Sequence, residues 1–164
     1  MKSTIVIYGS STGTCQSIAE TIASKLGASA VDVSSIDEAA ISDHDNLILG
    51  TSTWGAGELQ DDWYDGVKVL ASADLKGKVV ALFGCGDSES YSDTFCGGMA
   101  ELYDAAKDSG ATVVGQVSAE GYTFDDSAAV IDGHFVGLAL DDVNEDDRTD
   151  SRIDAWVAQI SPSL

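Results

Sequence analysis

The sequence predicts an α/β protein in which a five-stranded parallel sheet lies between two layers of helices. Short, nearly continuous apolar runs alternate along the chain with stretches whose apolar residues recur every three or four positions. Strands buried on both faces are apolar throughout, and the helices that connect parallel strands cover the two faces of the sheet. A length of 164 residues is enough for a domain with its own core, so we expect residues 1–164 to form a single domain.

Five apolar runs mark the predicted strands, at residues 4–8, 30–33, 46–50, 79–83 and 112–115. Apolar residues at helical spacing mark four helices. The first helix has Ile18, Ile22 and Leu26, and the second has Trp63, Val67 and Leu70. The third has Met99, Leu102, Tyr103 and Ala106, and the last has Ile153, Trp156, Val157 and Ile160. The third helix is expected to end near Gly110. This spacing places Trp63 and Trp156 on helix faces that pack in the core.

Residues 118–147 interrupt the alternation of strands and helices. The run at residues 135–140 is apolar, and we predict that it resumes the fifth strand after an excursion. Within the excursion, residues 121–126 are predicted to form a loop anchored by its aromatic residues. Connections of this length usually have a structure or a function of their own.

The balance of charge excludes two classes of partner. The chain has 28 acidic and 8 basic residues, for a formal net charge of -20. Nucleic acids and anionic membrane surfaces attract Lys and Arg, so neither fits this chain. A protein partner with a basic surface does fit, because opposite charges speed encounter. Solubility or adaptation to a salty cytoplasm explains the charge equally well, and the two interpretations are compatible.

The cysteines and the N-terminal residues favour the cytoplasm. Cys15, Cys85 and Cys96 form no C-x-x-C pair, and three thiols indicate a reducing compartment. The chain begins without a leader pattern and contains no apolar run of membrane-spanning length, so we expect a cytoplasmic protein without membrane insertion. His44 and His134 are isolated, and we predict neither a catalytic residue nor a metal site.

Hydroxyl-bearing residues and a glycine lie where the first strand meets the first helix: Ser10, Ser11, Thr12, Gly13 and Thr14. Free amides at a helix N-terminus attract anions, and the carboxyl edge of a parallel sheet is where ligands bind. No Lys or Arg is present, so this is not a P-loop. The segment suits a single phosphate monoester held by hydrogen bonds, although an ordinary Ser or Thr N-cap has the same appearance.

Two aromatic residues follow the third and fourth predicted strands. Trp54 stands beside Gly55, and Tyr91 follows the stretch Gly84-Cys85-Gly86-Asp87. Two aromatic rings at one sheet edge can enclose a planar redox ring by stacking. The glycines would let the backbone approach the edge of that ring, and Asp87 would accept a hydrogen bond from a ring N–H. The alternative is that either aromatic is a half-exposed surface residue.

In their order and spacing, these motifs resemble those of the flavodoxins over nearly the whole chain. The phosphate-loop pattern Thr/Ser-x-Thr-Gly-x-Thr corresponds to residues 10–15, with the thiol of Cys15 in place of the last hydroxyl. The Thr-Trp pair followed by Glu-Leu-Gln corresponds to residues 53–54 and 58–60, and the Gly-x-Gly-Asp segment to residues 84–87. The resemblance implies a flavodoxin-like fold, a three-layer α/β/α sheet in strand order 2-1-3-4-5. It also implies the long-chain type, with residues 118–134 inserted into strand 5.

The resemblance implies non-covalently bound flavin mononucleotide (FMN). The residues that it places around FMN are Ser10, Ser11, Thr12, Gly13, Thr14, Cys15, Thr51, Ser52, Thr53, Trp54, Gly55, Ala56, Gly84, Cys85, Gly86, Asp87, Tyr91, Thr94 and Cys96. A flip of the backbone at Gly55 is expected to stabilise the neutral semiquinone, because glycine tolerates positive φ.

The function that the resemblance implies is that of a monomeric, low-potential one-electron carrier, which passes through oxidised, neutral semiquinone and hydroquinone states. Its partners would be basic-surfaced redox proteins such as ferredoxin-NADP reductase, photosystem I, nitrogenase reductase or pyruvate oxidoreductase. No substrate chemistry is expected, so the chain is predicted not to be an enzyme.

Three other functions are compatible with the same fold class. A phosphorelay receiver needs acidic residues after the first and third strands, where this chain has Gly9-Ser10 and Thr51-Ser52. A flavin-dependent reductase of a quinone or a nicotinamide needs an open pocket over the ring, which Tyr91 would cover. A non-redox binding module that docks a partner through the long insertion would hold no flavin.

Overall fold

The computed structural model describes residues 3–9, 13–54, 58–59, 63–86, 95–120, 122, 124–141 and 144–164, with the backbone alone at 53, 54, 58 and 59. Its strands are β1 (Thr4–Gly9), β2 (Ser29–Asp32), β3 (Asn46–Trp54), β4 (Glu58–Leu59), β5 (Val79–Cys85), β6 (Thr112–Val114), β7 (Val117–Ser118), β8 (Val130–Ile131), β9 (His134–Phe135) and β10 (Leu138–Leu140). Its helices are α1 (Thr14–Leu26), α2 (Glu38–Ser42), α3 (Trp63–Ser72), α4 (Gly98–Asp108) and α5 (Asp146–Ile160), and short 3-10 turns cover Val33–Ser35 and Ser161–Ser163.

The central sheet has the predicted order. β2, β1, β3 and β5 lie side by side and parallel, and β6 and β10 share the fifth position next to β5. β4 is an antiparallel addition to the end of β3. The five predicted strands and the order 2-1-3-4-5 are therefore confirmed, and β3 and β5 extend further toward the carboxyl edge than their apolar runs.

The fifth strand is split, as the sequence predicts, but at different residues. β6 pairs with β5 from Val79 to Ala81, and β10 pairs with it from Phe83 to Cys85. The strand resumes at Leu138, so the prediction that it resumes at residue 135 is wrong by three residues. His134–Phe135 belongs instead to a small antiparallel sheet of order β7-β9-β8 within the insertion.

Close packing explains where the strand breaks and resumes. A Cβ on Gly115 would lie 2.8 Å from Nε1 of Trp156, and the backbone there has φ +87°. A Cβ on Gly137 would lie 2.1 Å from the carbonyl oxygen of Leu82, so only glycine admits the chain back against β5. The insertion between the two halves of the strand therefore covers residues 115–137, three residues more at each end than the predicted 118–134.

Helices cover both faces of the sheet and give it three layers. α1 and α5 pack on the face that buries Val6, and α2, α3 and α4 on the face that buries Ile5 and Ile7. The four predicted helices are present, whereas α2 was not predicted, because five residues with one buried side chain carry no periodic signal. Among the described residues, no helix combines the length and the apolar character needed to cross a membrane.

The two tryptophans predicted for the core are fully buried, and each also satisfies a backbone carbonyl. Trp63 and Trp156 are 0% and 1% exposed. The indole of Trp63 donates to the carbonyl of Gly50 at 2.7 Å, and that of Trp156 donates to Gly115 at 2.8 Å. Trp63 thus links α3 to the middle of β3, and Trp156 links α5 to the residue that follows β6, which fixes each helix against the sheet.

Candidate functional site

The carboxyl ends of the central strands bring together most of the described residues predicted for the site. Thr51 pairs with Gly9 on one side and Gly84 on the other, and Ser52 pairs with Cys85. The remaining described members flank this edge: Gly13, Thr14 and Cys15 at the start of α1, Gly86 after β5, and Cys96 before α4. Ligand sites of open α/β sheets lie at this edge.

The structure describes the remaining predicted residues by their backbone only or not at all. Thr53 and Trp54 form the end of β3, where their backbone pairs with Leu59 and Glu58. Predicted contacts that lie outside the described residues are Ser10, Ser11, Thr12, Gly55, Ala56, Asp87, Tyr91 and Thr94.

The N-terminus of α1 has the features of an anion site. Its N-cap is Gly13, at φ +89°, where an added Cβ would meet nothing within 4 Å. A glycine N-cap has no side-chain oxygen, so the alternative of a Ser or Thr at this N-cap is wrong. The first turn of α1 carries no acidic residue, whereas each of the other four helices of the described chain has at least one there. The positive end of the helix dipole is therefore not neutralised by a side chain of that turn.

A buried hydroxyl lies at the end of β3. The Oγ of Ser52 is shielded from solvent and has no hydrogen-bonding partner among the described residues. Its neighbour Thr51 is fully buried and donates to the carbonyl of Ser52 at 2.8 Å. An unpaired buried hydroxyl costs roughly 1–3 kcal/mol, and a polar ligand at this edge would remove that cost.

Three buried thiols form the floor of the edge. Cys15 and Cys96 are 0% exposed and Cys85 is 7% exposed, and all three are free. A hydrogen bond with Cys85, followed by burial, raises the pKa of the Cys15 thiol well above its usual value. Burial raises the pKa of Cys96, whose Sγ lies 3.6 Å from the carbonyl of Gly84. The raised pKa values favour the neutral thiol at Cys15 and at Cys96, and the Cys15 side chain packs into the core.

Packing within the protein requires glycine at Gly84, near the end of β5, and at Gly86, just after it. A Cβ on Gly84 would lie 2.6 Å from Cγ of Met99, and one on Gly86 would lie 2.8 Å from the backbone nitrogen of Cys96. The sequence analysis assigns these glycines to close approach by a ring. The close neighbours that the structure gives them are Met99 of α4 for Gly84, and Phe95 and Cys96 for Gly86. Next to these residues, the hydroxyl of Ser127 donates a hydrogen bond to the carbonyl of Phe95. This contact was not predicted, because the two residues are 32 positions apart and belong to no motif.

Comparisons with known proteins were made by sequence and by structure. The sequence model described as flavodoxin matches residues 6–156. The chain belongs to the flavodoxin family. It is 41% identical over 160 residues to flavodoxin 1 of Azotobacter vinelandii, covering 93% of this chain and 92% of that one. It is also 41% identical over 168 residues to flavodoxin 1 of Escherichia coli strain K12, covering 100% and 96%.

A solved flavodoxin has nearly the same fold. The crystal structure of Fusobacterium nucleatum flavodoxin bound to flavin mononucleotide matches with a TM-score of 0.94 at 34% identity. The match covers 100% of this chain and 99% of that one. Flavodoxins are electron-transfer flavoproteins that serve redox partners and are not enzymes. The family thus agrees with the function implied by the sequence motifs and excludes the phosphorelay receiver.

Proposed function

We propose that this chain binds FMN non-covalently at the carboxyl edge of its sheet and carries single electrons at low potential between redox proteins. The observation that carries the proposal is the convergence, at one edge, of the start of α1, the end of β3 and the end of β5. These are the three places where the sequence assigns a phosphate contact and two ring contacts. The family relationship and the FMN-bound Fusobacterium flavodoxin support the same ligand.

The start of α1 would hold the phosphate. The amides of the first turn and the hydroxyls of residues 10–14 provide donors without a full positive charge. The side chain of Cys15 faces the core beside Cys85, so we assign its contribution to the backbone amide. The absence of acidic residues from the first turn supports this assignment, because the chain is acidic nearly everywhere else.

The ends of β3 and β5 would hold the flavin ring. Bound FMN supplies the isoalloxazine ring that takes up and releases the electron. Residues 51–56 would contact it on one side and residues 84–87, 91, 94 and 96 on the other, and the hydroxyl of Ser52 would gain a partner. The three buried thiols beneath this edge bring no positive charge to the ring. Together with the net charge of -20, this disfavours added negative charge and supports a low potential.

A basic-surfaced redox protein is the partner class that the charge supports. The 28 acidic residues far outnumber the 8 Lys and Arg residues of the chain, so its own cations cannot balance its carboxylates. Attraction to a basic partner would speed association and weaken as salt screens it. We place this exchange in the cytoplasm, with the chain as a monomeric single domain. The three free thiols support a reducing compartment.

A comparison of FMN with riboflavin tests the assignment of the phosphate. Each flavin is titrated into the apoprotein, and binding is followed by quenching of flavin fluorescence. We expect FMN to bind one to one and riboflavin to bind at least about tenfold more weakly, because hydrogen bonds to a charged group are worth roughly 1.5–3 kcal/mol. Equal affinities would contradict the anion site at α1. Failure of both flavins to bind would refute the proposed function and favour a non-redox binding module.

A further inference from the structure

We propose that the groove between α3 and α4 docks a basic amphipathic helix of a protein partner. This surface, which we call the α3–α4 groove, has a volume of about 360 Å³. Its floor is formed by Val67, Ala71 and Ala105, and its wall by Glu101, Asp104 and Asp108. None of these residues is assigned to FMN, so the inference goes beyond the proposed function and does not depend on it.

The floor of the groove is apolar and has contributions from both helices. Val67 and Ala105 are half-buried, and Ala71 is exposed. Two of the three residues are alanines, and the distance between packed helices depends on the size of the side chains at their contact. Small side chains therefore let a third helix approach closely. An apolar groove between two helices suits the apolar stripe of an amphipathic helix.

Three carboxylates of α4 form the wall. Glu101, Asp104 and Asp108 are exposed, and their spacing of three and four residues places them on one face of the helix over about 10 Å. None of them takes part in an ion pair within the part of the chain that the structure describes. The lysine of α4, Lys107, contacts Tyr103 instead, with its Nζ 3.3 Å from the hydroxyl and 5.2 Å from the ring centroid.

This pattern of charge does not stabilise α4 itself. Carboxylates three or four residues apart repel each other, and Asp104 and Asp108 lie toward the C-terminus of the helix, where its dipole favours cations. A partner helix with Lys or Arg at the same spacing would remove both penalties. The wall thus identifies a basic occupant. The net charge of -20 opposes a second copy of this chain in the same place.

The groove is fixed at one end by hydrogen bonds between the two helices and the connection that joins them to the sheet. The hydroxyl of Ser109, the C-cap of α4, donates to the carbonyl of Leu70 in α3 at 2.9 Å. The amide of Leu75 donates to the carbonyl of Ser109 at 3.0 Å. A groove held in this way requires little ordering when a partner binds.

The groove leaves the carboxyl edge of the sheet uncovered. α4 begins at Gly98, beside that edge, and the groove follows the helix away from it. Beyond the end of α4, Thr112 of β6 pairs with Val79, the first residue of β5, so Asp108 lies toward the amino edge. A helix docked in the groove therefore leaves the proposed flavin site open.

A synthetic peptide provides the probe. It is a helix of about 15 residues with a stripe of Leu beside Lys residues three and four positions apart, and a scrambled peptide of the same composition is its control. Each is titrated into isotopically labelled protein to which FMN has been added. We expect saturable one-to-one binding of the amphipathic peptide alone, with the largest changes in amide chemical shift in α3 and α4 and with no release of FMN.

Two triple variants separate the groove from the overall charge, because both remove three exposed carboxylates. The groove variant is Glu101→Gln, Asp104→Asn and Asp108→Asn. The control, on the opposite face of the sheet, is Glu20→Gln, Asp147→Asn and Asp150→Asn. The groove variant should weaken peptide binding at least about tenfold, and the control less than about threefold.

A neutral substitution tests the floor. Ala71→Gln fills the groove without changing the charge, and Ala39→Gln makes the same change at an exposed alanine of α2. Ala71→Gln should weaken peptide binding about tenfold, whereas Ala39→Gln should leave it unchanged. The affinity for FMN should be the same in all four variants, because none of them alters the carboxyl edge.

Absence of saturable binding would overturn the inference. Equal weakening by the two triple variants would do the same, because it would mean that the peptide responds only to the overall charge. Release of FMN by the peptide would contradict a separate docking site. Self-association of the protein that Ala71→Gln abolishes would show that a second copy binds in the groove, and would also overturn the inference.

Discussion

At the scale of single residues, Tyr122 contacts three separate parts of the molecule, although it belongs to no motif in the sequence. Its hydroxyl donates to β10, its ring packs on Phe135, and its face carries the guanidinium of Arg152. Burial raises the pKa of Tyr122 to about 12, with the charge of Arg152 acting in the opposite direction. The neutral phenol is therefore the form that the fold favours.

The raised pKa predicts a loss of stability in alkali. Because the folded pKa lies above the unfolded value of about 10, the contribution of the phenol is complete below pH 10 and is lost as the pH rises through 12. Urea unfolding of the wild type and Tyr122→Phe should give free energies of unfolding that converge over this range. At neutral pH the variant should be less stable by about 1 kcal/mol, for the lost hydrogen bond to Ala139. A constant difference at every pH would contradict the assignment.

At the scale of elements, the link between α5 and the insertion depends on one of two neighbouring arginines. Arg148 and Arg152 both pair with Glu145, but their side chains are 55% and 14% exposed. Exposed ion pairs contribute little, whereas removing the partly buried Arg152 uncovers the Tyr122 ring and leaves Glu145 only its exposed partner. The two residues therefore form a natural pair of test and control.

Arg152→Gln should lower the free energy of unfolding by about 1–3 kcal/mol, while Arg148→Gln should change it by less than about 0.5 kcal/mol. Urea unfolding of both variants, at one pH and one salt concentration, measures the difference. Equal effects of the two substitutions would show that burial of Arg152 does not stabilise the contact between α5 and the insertion.

The elements also show how far the sequence predicts the structure. The central strands and the four long helices were predictable, because local apolar runs and spacings report burial on a sheet or a helix face. The limits of the insertion were not, since Gly115 and Gly137 are fixed by contacts with Trp156 and Leu82, far away in sequence.

The small sheet of the insertion did have a local signal. Asp132 and Gly133 have φ +52° and +78° and join β8 to β9 as a two-residue turn. Asp-Gly between two apolar segments is a typical hairpin signal, so this hairpin was predictable from the sequence. The position of the described candidate residues at one sheet edge was predictable, because their motifs follow strands. The hydrogen bond between Ser127 and Phe95 was not, because the two residues belong to different parts of the chain.

At the scale of the whole molecule, the net charge of -20 opposes folding. Carboxylates are crowded closer together in the folded chain than in the unfolded one, so their mutual repulsion destabilises the compact state. Salt screens this repulsion, with a Debye length of about 10 Å at 0.1 M and about 3 Å at 1 M. A chain with balanced charges would gain far less from the same salt.

We therefore expect the urea midpoint of unfolding to rise as KCl is increased from about 0.05 M to about 1 M. A neutral solute at equal osmolarity serves as the control, because it does not screen charge. A midpoint independent of KCl, or one raised equally by the neutral solute, would mean that charge repulsion is not a significant part of the stability of this fold.

Transfer of one electron at a time on bound FMN distinguishes the proposed carrier from a reductase. It is tested most directly by stepwise anaerobic reduction of the FMN-loaded protein, with the visible spectrum recorded against the solution potential. We expect two separate phases, each with the slope of about 59 mV per tenfold change that a one-electron step requires. A single phase with half that slope would mean that electrons enter in pairs, as in a reductase, and would contradict the claim.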